Sequence, residues 1–535
     1  MINTFFKLLP LFLTTSLCAC NWTELVSVNS DGQQANSASL CPSLSSNGQY
    51  VAFASYANNL VTPDVNSRYD IFVRELSSGT TNRVSTDPFG YGGDQNSGLP
   101  SISGDGRYIA FLSLATNLVI GDTNNRNDVF LHDRQTGITT RVSVDSIGNE
   151  ANDHSYRPVI SEDGRFIAFS SKASNLVGDD TNGYPDVFLH DQTTGITRRV
   201  SIDDNGNEAN SQSSGPSISQ DGRYIAFESV ATNLISGGSS VYRARAFVYD
   251  RVSEKVIHAS IDSAGNEAND SSVFVSISGN GQYVMYFSAA DNLVPGDTNG
   301  LPDVFVHDLL SGTTSRASVD STGNQSNGSS VPGAISYDGR YVVFQSAADN
   351  LVTNDLNYKK DIFVHDRVIG TTSRASLTES GIEANGDSSE DPANKCISIA
   401  SNGRYVAFDT RATNFISFDV NGYNSDIVVR AIPEILVDSI VPDQLTIGAT
   451  TSITISGKNF LDDVVPLMLT VEGSAFSNLI IVDENTLTVD MFIPATASEG
   501  LQGVTVTLPG SGPGTMTGAT GECTDCVSLV KPSGC

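Results

Sequence analysis

A short motif recurs seven times along the chain at a nearly constant interval. It reads Asp/Asn-Gly-Arg/Gln-Tyr/Phe followed by an apolar residue, and in most copies Ser-x precedes it. Its glycines are Gly48, Gly106, Gly164, Gly222, Gly281, Gly339 and Gly403, with spacings of 58, 58, 58, 59, 58 and 64 residues. Self-similarity at a fixed period is the signature of repeat architectures, in which each unit buries its apolar faces against its neighbours.

The second repeat shows what one unit contains. Its apolar patterning predicts four strands, at Leu99–Ser103, Tyr108–Ser113, Asp128–Asp133 and Thr139–Val144. The dipeptide Asp105-Gly106 joins the first two strands as a tight hairpin turn. Four short strands cannot bury both faces alone, whereas blades arranged around an axis bury them and protect the sheet edges. We therefore predict an all-β fold in which residues 20–432 form a seven-bladed β-propeller.

The two ends of the repeat array complement each other. The last repeat stops after its third strand at Asp426–Arg430, and Leu25–Val28 precedes the first repeat. This N-terminal segment matches the fourth-strand pattern at Arg141–Val144. We predict that it completes the seventh blade and so closes the ring.

The repeats also resemble a known family. The sequence Ser-Gln-Asp-Gly-Arg-Tyr-Ile-Ala-Phe at 219–227 is the clearest copy of a signature found in TolB-like, WD-repeat-like propellers. The resemblance covers roughly residues 24–432. It implies a propeller that binds proteins or ligands in the cell envelope, but it does not imply one activity, because propellers host many functions.

The N-terminus has the pattern of an export signal rather than of a folded segment. Lys7 precedes an apolar stretch, Leu8–Leu17, that is too short to span a bilayer. The following Leu17-Cys18-Ala19-Cys20 resembles a bacterial lipobox, although Cys18 is unusual at its position. The resemblance implies a signal peptide at 1–19, lipidation of Cys20 and, with Asn21 next to it, an outer-membrane location. An ordinary secretory signal is the alternative.

The repeat period ends near residue 432, and a different pattern follows. Residues 433–508 contain alternating runs such as Gly448–Gly457, Asn485–Val489 and Val504–Leu508. This segment resembles an IPT/TIG immunoglobulin-like domain, which implies a small β-sandwich that serves as a spacer or interaction module. Residues 509–535 form the expected flexible tail, which contains Cys523, Cys526 and Cys535.

An acidic motif lies in the loop between the second and third strands of six repeats. It reads Asp-x-Asn-x-x-x-Asp, one residue longer in the seventh repeat, and comprises Asp64, Asn66, Asp70, Asp122, Asn124, Asp128, Asp180, Asn182, Asp186, Asp297, Asn299, Asp303, Asp355, Asn357, Asp361, Asp419, Asn421 and Asp426. Side-chain oxygens at alternate positions suit Ca²⁺, which takes about 6–8 oxygen ligands. The alternative is that these side chains bond the backbone amides of their own loops. Calcium is thus the candidate cofactor, and both interpretations stay open.

Two further places depart from the repeat pattern. The corresponding loop of the fourth repeat contains Tyr242, Arg243 and Arg245 instead of acids, which indicates either an asymmetric contact site or drift in an unneeded loop. Cys41 and Cys396 each lie seven residues before a repeat glycine, in the first and last blades. They are candidates for a disulfide that locks the ring, provided that their Cα atoms approach within about 7 Å.

The sequence favours binding over catalysis. The formal net charge of −30 disfavours nucleic acid as a partner and predicts that the chain meets a membrane through its lipid anchor only. Four histidines, His132, His190, His307 and His365, share one repeated strand position, so we interpret them as hydrogen-bonding groups within blades. No nucleophile elbow or paired acid and base is recognisable.

We therefore predict a cell-envelope scaffold that binds a protein or glycan partner on the face with the longer loops. The alternatives are an envelope hydrolase or lyase with a site in the central channel, and a surface adhesin stabilised by calcium.

Overall fold

The computed structural model describes residues 23–432, apart from 238–239, 390–395 and 417, together with eight strands between Leu436 and Val530. The expected signal peptide and Cys20 lie outside the described residues. Within the described part of the chain, no helix has the length and hydropathy needed to cross a bilayer.

Residues 23–432 form the predicted seven-bladed propeller, and each blade is an antiparallel sheet of four strands. The first strand is β1 (Thr23–Leu25). Blade one consists of β2–β5 (Ser39–Leu44, Tyr50–Ser55, Asp70–Glu75, Thr80–Arg83), and blade two consists of β6–β9 (Ser97–Ile102, Tyr108–Ser113, Asp128–Asp133, Ile138–Arg141). Blade three consists of β10–β13 (Ser155–Ile160, Phe166–Ser171, Asp186–Asp191, Ile196–Arg199), and blade four consists of β14–β17 (Ser213–Ile218, Tyr224–Ser229, Arg245–Asp250, Lys255–His258). Blade five is β18–β21 (Ser272–Ile277, Tyr283–Ser288, Asp303–Asp308, Thr314–Arg316), blade six β22–β25 (Ser330–Ile335, Tyr341–Ser346, Asp361–Asp366, Thr371–Arg374), and blade seven β26–β28 (Ile397–Ile399, Tyr405–Thr410, Asp426–Ala431) with β1.

Contacts between neighbouring blades explain the repeated Gly-x-Tyr motif. Gly106 of blade two adopts φ +76° in its turn, a conformation that favours glycine. A Cβ at this residue would lie 2.2 Å from Cδ2 of Tyr50 in blade one. Phe111 and Phe130 of blade two stack at 5.9 Å within the core that the same two blades share. The apolar core is thus divided among the interfaces between blades.

The two faces of the ring differ because the loops on them differ in length. The turn between the first and second strands and the end of the third strand share one face, where Arg107 forms an ion pair with Asp133 at 2.7 Å. The loop between the second and third strands meets the loop between blades on the other face, where Asn124 Nδ2 donates to the carbonyl oxygen of Ala151 at 2.9 Å. We call them the tight-turn face and the long-loop face.

The N-terminal strand closes the ring, as predicted. β1 pairs antiparallel with β28, so that Thr23 lies opposite Arg430. Ser27 Oγ donates to Asp426 Oδ1 at 2.7 Å, which is the bond that Ser143 makes with the first residue of the third strand in blade two. The N-terminal segment therefore supplies the fourth strand of blade seven.

Both ends of the propeller leave blade seven at the tight-turn face. In the other six blades a turn joins the third strand to the fourth, whereas in blade seven Thr23 enters and Ile432 leaves at that place. The Ile432 amide donates to Arg404 O at 2.7 Å, as the Arg134 amide donates to Arg107 O at 2.9 Å in blade two. Blade seven is therefore the point of attachment for both flanking segments.

The strands after residue 432 form two sheets. The first contains β29 (Leu436–Val441), β31 (Thr450–Lys458), β34 (Thr486–Phe492) and β33 (Ala475–Asp483), in that order, and the second contains β30 (Gln444–Thr446), β36 (Thr520–Val530), β35 (Gly500–Thr507) and β32 (Met468–Thr470). The structure differs from the expected flexible tail over Thr520–Val530, because this stretch pairs along β35. It is the longest strand of the second sheet.

A disulfide joins Cys41 and Cys396, whose Cα atoms lie 4.1 Å apart. The two residues belong to the inner strands of blades one and seven, which converge on the axis of the ring. The bridge therefore spans the closure on its inner side, while β1 spans it on the outer side.

Replacing both cysteines with serine should lower the free energy of unfolding by about 3–5 kcal/mol, because the bridge closes a loop of 355 residues and restricts the unfolded chain. Calorimetric melting of the oxidised wild type and the double variant measures this difference. Reduction of the wild type should give the same shift. An unchanged melting temperature would show that the β1–β28 pairing alone secures the closure.

Candidate binding site at the channel mouth

Each acidic motif places one buried carboxylate at the start of the third strand. In blade two, Asp128 has no exposed surface. Its Oδ1 accepts a hydrogen bond from Ser143 Oγ at 2.6 Å, and its Oδ2 accepts one from Asn124 Nδ2 at 2.8 Å. Asn124 also bonds the loop to the next blade, so the motif holds the two long loops together.

An arginine of the fourth strand stands among these carboxylates in five blades. The five are Arg83, Arg141, Arg199, Arg316 and Arg374. In blade three, Arg199 Nη1 lies 3.0 Å from Glu208, 3.7 Å from Asp186 and 3.9 Å from Asp180.

Oxygens of the same three acids lie within 4.8 Å of one another, a spacing that suits a metal ion. In this structure the guanidinium group of Arg199 lies among the oxygens that the sequence pattern predicts as calcium ligands. Burial raises the pKa of Asp186 to about 6, although the positive charge of Arg199 opposes that shift. Calcium binding at these motifs stays a prediction.

Blade four has a cation in place of the aspartate that opens the third strand. Arg245 starts its third strand, and His258 takes the place of the arginine in its fourth strand. Arg245 is 4 % exposed, and its Nε lies 3.4 Å from Glu267. Arg243 donates to a backbone carbonyl of the next loop at 2.8 Å. Burial thus removes Arg245 from the surface where we expected contact with a partner, while Tyr242 is 70 % exposed.

Blade seven uses an amide where the other blades use arginine. Gln34 Nε2 donates to Asp419 Oδ1 at 3.1 Å and to Asp426 Oδ2 at 2.7 Å. Asn421 Nδ2 donates to the other oxygen of Asp426 at 3.2 Å. Burial raises the pKa of Asp426 to about 6, and the hydrogen bonds from Ser27 and Gln34 oppose that shift.

The four repeated histidines lie inside the blades. In blade six, His365 is 6 % exposed, and its Nδ1 lies 2.9 Å from Thr372 Oγ1. Burial lowers the pKa of His365 to about 4, so the ring is neutral at physiological pH. Thr372 bonds in turn to Val319 O at the end of blade five. The histidine thereby helps to join its blade to the preceding one.

The axis of the ring holds a channel that is closed at one end. Residues of the inner strands line about 190 Å³ of space. On the tight-turn face, Gln220 of blade four reaches across the axis and donates to Ser46 Oγ at 3.1 Å and to Ser401 Oγ. The open mouth of the channel is therefore on the long-loop face.

The blades differ from one another at this mouth. The fifth residue of the second strand is Ala54, Leu112, Ser170, Glu228, Phe287, Gln345 and Asp409 in blades one to seven. The residue before it is Phe or Tyr in every blade, and the residue after it is Ser or Thr. Near this end of the second strand, side-chain chemistry thus varies at one position, while the residues on both sides of it keep their type.

A pocket of about 570 Å³ opens at the mouth between blades one, two and seven. Leu99, Leu112 and Leu114 form an apolar wall. The lining also includes Tyr69, Asn96, Asn127 and Asp409. Tyr69 contacts the exposed ring of Tyr56, with centroids 5.3 Å apart. The pocket therefore combines an apolar wall with a polar and aromatic rim.

Glu228 joins blades four and five on the other side of the mouth. Its Oε1 accepts from Ser214 Oγ at 3.1 Å, and its Oε2 accepts from the backbone amide of Phe274 at 2.8 Å. A Cβ on Gly215 would lie 3.3 Å from the carboxyl carbon of Glu228 and 3.5 Å from Nη1 of Arg157. The glycine thus leaves room for two charged side chains next to the axis.

Comparison with known proteins bears on both parts of the chain. The stretch 436–520 matches the model of the IPT/TIG domain family. Residues 436–520 are an IPT/TIG domain. The match begins close to the expected residue 433 and extends beyond the expected end at 508, in agreement with the strand at Thr520–Val530. No curated protein matches the chain.

Several solved structures resemble the propeller that precedes the IPT/TIG domain. A TolB protein from Agrobacterium tumefaciens is 14 % identical over 66 % of this chain and 94 % of its own, with a TM-score of 0.35. The WD40 repeats of RRP9 are 9 % identical over 77 % and 97 %, with a TM-score of 0.38. An ancestral GH74 enzyme is 10 % identical over 75 % and 48 %, with a TM-score of 0.37. The likeness concerns the fold, and no residue role is carried over.

The sequence pattern did not predict the pocket at the channel mouth. Leu112 and Asp409 belong to second strands whose sequence pattern matches that of the other blades. Alignment of the seven second strands carries the missing signal, because one position varies in chemistry between two that do not.

Replacing Arg199 with leucine should lower the free energy of unfolding by about 3 kcal/mol, because three carboxylates would then face one another without a cation. We expect added calcium to recover part of this loss, since the oxygens are already close enough to share an ion. Thermal unfolding with calcium and with chelator measures both effects. Arg198→Leu, at an exposed neighbour, is the control. A calcium-dependent rise in the wild type would show that the ion binds alongside the guanidinium.

Replacing His365 with tyrosine, the residue at this position in blade four, should make the fold less sensitive to acid. A folded pKa of about 4 lies below the unfolded value of about 6.5. The neutral ring therefore contributes its full stability above pH ~6.5 and loses it as the pH falls towards ~4. Urea unfolding at several pH values should show a smaller loss in the variant. Equal losses would mean that this ring takes up no proton on unfolding.

Proposed function

We propose that this chain is a lipid-anchored protein of the bacterial envelope whose propeller binds an extended segment of a protein partner at the channel mouth. The anchor would be a diacylglyceryl group on Cys20, and the IPT/TIG domain would serve as a spacer or second contact. The proposal includes no chemical reaction.

One observation carries this proposal: a single position of the second strand, at the channel mouth, has a different residue in every blade, while the positions on both sides of it keep their chemistry. A position that serves only packing keeps its chemistry from blade to blade, as the flanking Phe/Tyr and Ser/Thr positions do. The position between them takes seven different residue types. Three of the seven keep part of their surface exposed, namely Leu112, Glu228 and Phe287, whereas the other four are buried. The exposed three make the mouth asymmetric, so that a single ligand can recognise it.

The chemistry of the pocket favours an apolar side chain presented by a polypeptide. Leu99, Leu112 and Leu114 are only partly buried, so they keep apolar surface to offer a ligand. Partner-binding pockets typically combine such a wall with a few polar groups at the rim. The net charge of −30 also favours a segment that carries Lys or Arg, because opposite charge speeds and orients encounter.

The positions of the chain ends support an outward-facing pocket. Thr23 enters the propeller at the tight-turn face, and Cys20 precedes it by three residues. A lipid on Cys20 would therefore hold the tight-turn face towards the bilayer. The pocket lies on the opposite face and would be presented to a partner away from the membrane.

A hydrolase or lyase fits the mouth less well. Such an enzyme needs a carboxylate, histidine or nucleophile that is available to a substrate. Both oxygens of Glu228 hold blades four and five together, Asp409 in the pocket lining is 1 % exposed, and the repeated histidines are buried. The hypothesis of a calcium-stabilised adhesin is tested by the thermal unfolding of the wild type and the Arg199 variant with calcium and with chelator.

Selection of phage-displayed random peptides on the mature full-length protein tests the binding proposal. We expect the selected peptides to share an apolar residue next to a basic one. Leu112→Glu should weaken binding of a selected peptide by at least about tenfold in calorimetric titration, because it places a charge against the apolar side chain. The fold should accept this change, since the side chain of Leu112 is only partly buried.

Thr193→Glu is the matched control, because it adds the same charge at an exposed turn of the tight-turn face. Peptide affinity should not change in this variant. Affinity that survives Leu112→Glu would contradict the proposal. So would a selection that yields no peptide while envelope glycan fragments bind the wild type.

A further inference from the structure

The tight-turn face carries three exposed aliphatic side chains in adjacent blades. Val252, Leu310 and Val368 occupy one turn position in blades four, five and six and are 66 %, 84 % and 69 % exposed. Their recurrence at one structural position in three successive blades distinguishes them from hydrophobic residues that are exposed singly across a surface.

The other blades with this turn have polar residues at its tip. Blades one, two and three have Ser77, Gln135 and Thr193 there. Blades two and three do expose Ile138 and Ile196, but these residues lie in the outer strands β9 and β13, past the turn. The aliphatic tips are therefore confined to one side of the ring.

The backbone of the turn is the same whether its tip is aliphatic or polar. The amides of Val252, Leu310 and Val368 donate to the aspartate two residues earlier at 3.0, 2.9 and 2.9 Å. The amide of Thr193 donates to Asp191 at 3.0 Å in blade three. Only the side chain differs, so Thr193 is a matched reference for the aliphatic tips.

A cation precedes two of the three tips. The guanidinium of Arg251 lies 4.1 Å above the ring of Phe166, and that of Arg367 lies 4.6 Å above the ring of Tyr283. Neither forms an ion pair with a carboxylate among the residues that the structure describes. Arg134 precedes the polar tip of blade two in the same way and lies 4.5 Å above the ring of Tyr50. The arginine is therefore common to both kinds of turn, and the aliphatic side chain is what distinguishes the tips of blades four, five and six.

One of these blades adjoins the place where the anchor attaches, and the other two follow it around the ring. Blade six is next to blade seven, where Thr23 enters at the tight-turn face. An extended segment of three residues spans about 10 Å, so a lipid on Cys20 would hold this face close to the bilayer. The only tryptophan of the chain, Trp22, lies within that segment, and tryptophan favours the membrane interface.

We propose that the tips of blades four, five and six rest on the bilayer that carries the lipid anchor. Val252, Leu310 and Val368 enter the headgroup region, and Arg251 and Arg367 meet lipid phosphates. This inference rests on the lipid anchor of the proposed function. Three small apolar groups bind a membrane weakly on their own, but a covalent lipid keeps them at a high local concentration.

Fluorescence quenching by lipids with brominated tails tests the inference. The lipidated full-length chain, carrying Trp22→Phe, is placed on vesicles of phosphatidylethanolamine and phosphatidylglycerol. Leu310→Trp introduces a reporter at a tip, and Thr193→Trp introduces one at the matched turn of blade three. We expect brominated lipid to reduce the emission of the Leu310→Trp variant by about twofold and to leave the Thr193→Trp variant nearly unchanged.

Equal quenching of the two variants would overturn the inference. Blue-shifted emission from the Leu310→Trp variant that brominated lipid does not quench would also overturn it, and would indicate that another part of the chain, such as the IPT/TIG domain, covers the tips. A chain that carries no lipid on Cys20 and does not sediment with vesicles would refute the anchor itself, which distinguishes that failure from the other two.

Discussion

The long-loop face depends on the interactions of the buried carboxylate that opens the third strand in six of the seven blades. Asp128 illustrates it, because a charge with no exposed surface requires hydrogen-bond or ionic partners. The partners come from the fourth strand and from the long loop, so satisfying one carboxylate fixes the positions of both. Five blades add an arginine, blade four replaces the carboxylate by Arg245, which pairs with Glu267, and blade seven substitutes Gln34. Three chemical arrangements thus keep the long loops in the same geometry. These loops surround the channel mouth, so their geometry determines the shape of the pocket.

The repeat pattern was sufficient to predict the number of blades, the order of strands and the closure by the N-terminal strand. These features follow from local patterning and from a count that leaves one strand surplus at one end and one missing at the other. The partner of the acidic motif was not predictable in the same way, because Arg141 lies 13 residues after Asp128 and meets it only when the third and fourth strands pair. The strand at Thr520–Val530 was also missed, since its Gly, Thr and Cys content resembles a linker until it pairs with Gly500–Thr507.

The candidate site depends on a property that no single repeat contains. Seven second strands bring their fifth residues to one mouth, and only the closed ring determines which of those residues become neighbours. The closed end of the channel adds a second asymmetry, because Gln220 crosses the axis on the tight-turn face. A ligand can therefore enter from one side only, and the residues that would meet it are those in which the blades differ.

The two chain ends at blade seven determine how the molecule carries mechanical load. Thr23 and Ile432 lie at the same end of an antiparallel pair, so tension between the N-terminal tether and the C-terminal domain peels β1 from β28 one residue pair at a time instead of shearing all pairs together. Peeling requires little force, and β1 is short, so this outer strand is the first element to give way. The bridge between Cys41 and Cys396 holds blades one and seven together behind it. Under tension β1 therefore detaches from blade seven first, while the disulfide keeps the ring and its pocket in shape.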